Sequence, residues 1–207
     1  MFVSTPTFDV SAYAGSTAIV VGSAPCVEED FARALDLYPD AEIIGASSGG
    51  LYVFCDHIIT KHQKEGQTFR DWTRTRWGHE SIIHGPDGYD LHAFDYVWDG
   101  FKRINGSSGF AAAVLVASWG FRRVILAGIP LDGSDGYHKT VNDFLRENPA
   151  PHSGLERHHP GVVWMGSTHL DYQRKILRHR DEGILPRSLC SMSGFTREVL
   201  GGPDGNW

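Results

Sequence analysis

Five residues, Thr17 to Val21 (TAIVV), form a β-branched run that is apolar from Ala18 onward and stops at Gly22. A strand with one wet face alternates apolar and polar side chains. A strand covered on both faces does not, so this run predicts an interior strand of a parallel sheet. Parallel neighbours cannot be joined by a tight hairpin and need crossovers, most often helical ones. Val27 to Leu37 (VEEDFARALDL) supplies the first. Glu28, Glu29 and Asp30 crowd its first turn, where negative charge meets the positive end of a helix dipole, and Phe31, Ala34 and Leu35 make an apolar side. Tyr38, Pro39 and Asp40 end it.

Ala41 to Gly45 (AEIIG) reads as a second strand and Leu51 to His62 (LYVFCDHIITKH) contains a third, which gives the strand–helix–strand unit of α/β proteins. Ser107 to Gly120 (SSGFAAAVLVASWG) predicts a tightly packed helix with serine caps and a glycine stop, followed by Arg122 to Ile129 (RRVILAGI) as another buried strand. A helix leading into its strand is the order that right-handed crossovers impose. Thr168 to Arg180 reads as an amphipathic helix, Ser188 to Met192 as a short strand and Gly194 to Leu200 as a closing helix. Gln63 to Gly100 is rich in Trp, Arg, His and Gly with weak periodicity, and is expected to be an irregular acceptor-side lid outside the sheet. Within it, Phe69 to Trp77 (FRDWTRTRW) reads in two ways. It is either an amphipathic helix with Trp72 buried and its arginines solvated, or a surface where Arg70, Arg74 and Arg76 meet an anion while Trp72 or Trp77 stacks on a ring. The expected fold class is α/β and Rossmann-like. It has a mostly parallel sheet with helices on both faces, one domain over 1–207, and 63–100 as the lid or insertion.

Composition narrows the function classes. A chain of 207 residues buries a core without covalent staples. Its net charge of −6 argues against broad binding to nucleic-acid backbone. No apolar stretch approaches 18 residues and the first residues lack a signal-peptide layout, so no membrane span and a cytoplasmic location are expected. Cys26, Cys55 and Cys190 are too few and too scattered for a disulfide framework or a CxxC site, and are expected to be reduced. The eleven histidines form no known metal signature. His79-Glu80 lacks the second histidine of HExxH, and the groupings Asp56, His57 and His62, or Arg157-His158-His159, lack ligand spacing. No metal site is expected. Gly106 to Gly109 (GSSG) is not the GxSxG of a nucleophile elbow, which disfavours a serine hydrolase.

Four loops carry residue types suited to ligand binding. Gly22, Ser23 and Ala24 lie between the first strand and its acid-led helix, and Ser47 and Ser48 follow the second strand. Ser107, Ser108 and Gly109 enter the small-residue helix, and Gly128 to His138 (GIPLDGSDGYH) follows its strand. Glycine admits close backbone approach, serine offers hydroxyls, and strand carboxyl ends are where open α/β sheets hold ligands. Ordinary turns and N-capping account for the same residues without a ligand. Asp132 and Asp135 offer carboxylates to a metal or a ribose, though two without a third ligand make a poor metal site.

In this order the loops resemble those of the bacterial sialyltransferases of glycosyltransferase family 42 and the related 6-hydroxymethylpterin diphosphokinase-like domain. The resemblance rests on VVGSAPCVEED (20–30), on NGSSGFAAAVLVASWGFRRVILAGIPL (105–131) and on the tail THLDYQRKILRHRDEGILPRSLCSMSG (168–194). It implies a Rossmann-like domain that holds a nucleotide-sugar donor, CMP-sugars included, as substrate and requires no cofactor. Gly22, Ser23, Ala24, Ser47, Ser48, Ser107, Ser108 and Gly109 would contact the nucleotide. A histidine base before or at the last long helix would deprotonate an acceptor hydroxyl, with His169 first and His158 and His159 next. Tyr137 would assist the departing phosphate. Ser23, Cys26, Pro130 and the serines at 47 and 48 depart from the family pattern, so the donor stays open. The alternatives are a Mg²⁺- and ATP-dependent pyrophosphokinase using Asp132 and Asp135, and a Rossmann-like binding or assembly module without catalysis. A homo-oligomer is also left open.

Overall fold

A computed structural model describes residues 2–88, 93–104, 107–132, 138–147 and 166–204. Its eight strands are β1 (Ser4–Thr5), β2 (Thr17–Val21), β3 (Glu42–Ala46), β4 (His57–Ile59), β5 (Ile82–Pro86), β6 (Tyr96–Trp98), β7 (Arg123–Ala127) and β8 (Leu189–Ser191). They form one sheet in the order β1-β6-β5-β4-β3-β2-β7-β8. Only β1, at one edge, is antiparallel to its neighbour. The helices are α1 (Val27–Leu37), α2 (Gln63–Trp77), α3 (Ser108–Ala117), α4 (Lys139–Glu147), α5 (Gly166–Asp181) and α6 (Gly194–Leu200).

The TAIVV run sits where its composition requires, between β3 and β7, with Ala18 to Val21 fully buried. Alternate residues feed two cores. Ile19, Val21, Ile125 and Ala127 pack with Val27 and Ala34 of α1 on one face, and Ala18, Val20, Val124 and Leu126 pack under α3 on the other. A strand apolar on both faces is thus matched to a helix on each. α3 is apolar almost all round because Ile176 of α5 and Leu200 of α6 share its cluster. From β2 the chain adds strands in one direction as far as β6, then returns through α3 to place β7 on the other side of β2. The direction of winding therefore reverses between β2 and β7.

The expectation of an irregular lid over 63–100 is corrected. The segment supplies α2 and two sheet strands, with His57 to Ile59 paired to Ile82 to His84, and His84 to Pro86 paired to Tyr96 to Trp98. Phe69 is fully buried against Leu51, Ile58 and Ile83. The arginines of FRDWTRTRW serve the helix itself. Arg70 pairs with Asp95, Arg74 with Asp71 and Glu80, and Arg76 lies over the Trp72 and Trp77 rings. The amphipathic-helix reading is the one the structure contains.

Candidate functional site

The four loops chosen from sequence meet at the carboxyl ends of β2, β3, β4 and β7. Ser48 Oγ donates to Ser23 Oγ at 3.0 Å, joining the second loop to the first. The Gly22 and Ala24 amides donate to the Ala127 and Gly128 carbonyls, and the His138 amide donates to the Ser23 carbonyl at 2.8 Å, joining the fourth to the first. Gly109 lies against Ile129, and Ser108 Oγ is 3.4 Å from His62 Nε2. Open α/β sheets hold ligands in the crevice where winding reverses, and these loops ring that point.

Several of the residues have a structural task as well. A Cβ on Gly22 would lie 2.3 Å from the Gly128 carbonyl oxygen, and one on Gly49 would lie 1.9 Å from the Val21 carbonyl oxygen. The missing side chains make room for neighbouring backbone. Ser47, at φ +52°, and Ser48 are buried, and Ser47 Oγ is 3.4 Å from Thr60 Oγ1. Ser107 caps α3 by accepting from the Phe110 amide. Ser23, Ser108 and Gly109 are part-exposed at the crevice.

His169 falls in the first turn of α5, with its side chain outside the described residues, and His158, His159, Tyr137 and Asp135 lie outside them altogether. Two other imidazoles stand at the crevice. His62, exposed, follows β4. His138 packs edge-on to Tyr52 at 4.7 Å, and its Nδ1 accepts from the Thr140 amide at 3.3 Å. That bond leaves the proton of the neutral ring on Nε2, 3.6 Å from Glu28. Asp56, His57 and His62 do not converge on a cation. Exposed Asp56 faces His79, His57 turns into the core, and among the described residues no cluster of metal-ligating side chains forms.

Asp30 does more than complement the α1 dipole. Its Oδ2 accepts from Ser193 Oγ at 2.5 Å, from the Gly128 amide at 2.9 Å and from Cys26 Sγ at 3.5 Å. A buried carboxylate thus ties α1 to the ends of β7 and β8. Burial pushes the Cys26 thiol up to about 11, which leaves it a poor nucleophile at neutral pH.

A second polar cluster lies toward the amino-terminal end of the sheet. Trp98 Nε1 donates to His84 Nδ1 at 3.1 Å, His84 Nε2 is 3.0 Å from His57 Nδ1, and His57 Nε2 is 2.8 Å from Tyr13 Oη. An indole is only a donor, so neutral His84 must carry its proton on Nε2 and give it to His57 Nδ1, and neutral His57 then donates to Tyr13. Phe8, Tyr96 and Trp119 surround the pair. Burial lowers both imidazole pKa values, His84 the further, and the His57 charge adds to the effect on His84.

Comparison with known protein families, characterised proteins and solved structures finds no match. No helix among the described residues is long and apolar enough to cross a membrane.

Proposed function

We propose that the chain is a Rossmann-like transferase whose donor, a nucleotide or nucleotide sugar, occupies the crevice between Gly22–Ala24 and Ser107–Gly109. The observation that carries this reading is the convergence of four serine- and glycine-bearing loops where the sheet reverses its winding. Such crevices present strand-end amides and hydroxyls to one face of a ligand. Ser23 and Ser108 supply hydroxyls, and His138 supplies an Nε2 proton to a donor oxygen.

In the transfer step a histidine accepts the acceptor's hydroxyl proton while that oxygen bonds to the anomeric carbon. The carbon–oxygen bond to the donor phosphate breaks, and the nucleotide leaves with the electron pair. A neutral imidazole suits the task because its ordinary pKa lies near neutrality. His62 stands at the crevice, and His169, His158 and His159 remain the candidates carried from sequence. Thermal-shift titration with nucleoside mono- and diphosphates and with nucleotide sugars tests the reading. A stabilising shift with at least one nucleotide is expected, and no shift across the panel refutes it.

A further inference from the structure

Lys61 immediately follows β4 at this edge of the sheet. Its Nζ donates to the Ile104 carbonyl at 2.6 Å and stands 5.9 Å from the centre of the Phe101 ring. The adjacent His62 reaches Ser108, and the charged group acting on Lys61 from α5 is Lys175, a like charge. Among the described residues, neither lysine forms an ion pair with a carboxylate. Two ammonium groups that repel one another beside a carbonyl and an aromatic ring are electrostatically uncompensated. Buried or half-buried cations ordinarily acquire a counter-charge.

We propose that Lys61 and Lys175 form the subsite for the phosphate oxygens of the ligand, with Ser108 and His62 at its rim. The identification of those oxygens as a nucleotide's rests on the function proposed above. A phosphate dianion matches two cations where a carboxylate would leave one uncompensated, and its oxygens accept several hydrogen bonds at once. During transfer the leaving phosphate gains negative charge, so ammonium groups fixed beforehand favour the transition state over the ground state. Lys61 is held at about 8 by burial first and Lys175 second. An anion bound beside it reverses that balance and makes the amine take up a proton.

Isothermal titration at pH 8, in two buffers of different ionisation enthalpy, tests the subsite with inorganic pyrophosphate and with a set of nucleoside mono- and diphosphates. Wild type, Lys61→Arg, Lys61→Met and Lys175→Gln are compared, with folding monitored by circular dichroism. Pyrophosphate and at least one nucleotide are expected to bind wild type with uptake of roughly half a proton, as a group titrating near the working pH requires. Affinity should fall on the order of tenfold in Lys175→Gln, as for loss of one charge-assisted contact. It should fall further in Lys61→Met and largely return in Lys61→Arg. Undiminished nucleotide binding by Lys175→Gln and Lys61→Met overturns the subsite and leaves the nucleotide reading standing. Lysine-dependent binding of pyrophosphate without any nucleotide keeps the subsite and overturns the nucleotide reading. Binding of neither overturns both. If Lys61→Met does not fold, Lys175→Gln on the outer helix decides the question alone.

Discussion

Acidification should destabilise this protein through His84. The ring is fully buried, its Nδ1 faces the Trp98 N–H, and its Nε2 proton is committed to His57. A second proton on Nδ1 would set two N–H groups against each other, so the folded state keeps the ring neutral well below its ordinary value of 6.5. The unfolded chain binds that proton and the native chain does not. The stabilisation is therefore complete above pH 6.5 and is lost as pH falls from there toward the depressed native value. For one histidine kept neutral by folding, linkage gives a loss of about 2 kcal/mol between pH 8 and pH 5, and His57 raises the limit to about 4 kcal/mol if it stays neutral too. Urea unfolding across that range, followed by the fluorescence of Trp98 and Trp119, measures it directly. His84→Gln keeps a polar side chain but cannot titrate. It should be less stable at pH 8, and its loss on going to pH 5 should be about 2 kcal/mol smaller than that of wild type. Parallel pH curves for the two proteins refute the reasoning.

Other perturbations have equally definite outcomes. Asp30→Ala leaves the Gly128 amide and Ser193 without their acceptor, and should cost on the order of 3 kcal/mol in urea unfolding. Trp98→Phe should be more destabilising than Trp119→Phe by about 1 to 2 kcal/mol, since the Trp98 N–H has an acceptor whereas the buried Trp119 N–H has none. Gly49→Ala forces a Cβ onto the Val21 carbonyl and should cost about 3 kcal/mol or prevent folding, whereas Gly88→Ala meets open space and should cost only about 1 kcal/mol for its positive φ. Cys55 and Cys190, both pushed up to about 12 by burial, should resist iodoacetamide at pH 7.5 until urea opens the fold. Alkylation at the native rate of an exposed thiol would contradict their placement.

What the sequence disclosed depended on how far each element's composition reports its own surroundings. TAIVV and RRVILAGI are apolar on both faces because both faces are covered, and α3 is rich in Ala, Val and Leu because it is enclosed; these elements were legible. The stretch α2–β5–β6 was not. Only part of α2 faces the core, β6 is three residues long, and β5 carries His84 and Pro86 at buried positions. A histidine whose two nitrogens are both bonded inside the fold is as much core as a leucine, but its identity alone does not say so. Asp30 presents the same difficulty: three acids in a first turn look alike until Gly128 and Ser193 arrive from distant strands. The binding loops could be read because they follow buried strands. Lys61 and Lys175 could not be paired in advance, because α5 brings them together across more than half the chain.

The placement of β7 also sets the order in which the sheet can be completed. Thr17 pairs with Arg123, so during synthesis β2 to β6 emerge while one edge of β2 still lacks its partner. That edge is an apolar parallel strand with a row of unsatisfied amides and carbonyls, the kind of template that recruits other nascent chains. α3, which covers the same strand's open face, is made immediately before β7, so shelter of face and edge comes almost together. A ribosome stalled after Arg103 would hold a chain whose most buried strand is still exposed, and truncation there should yield aggregates rather than a smaller folded sheet.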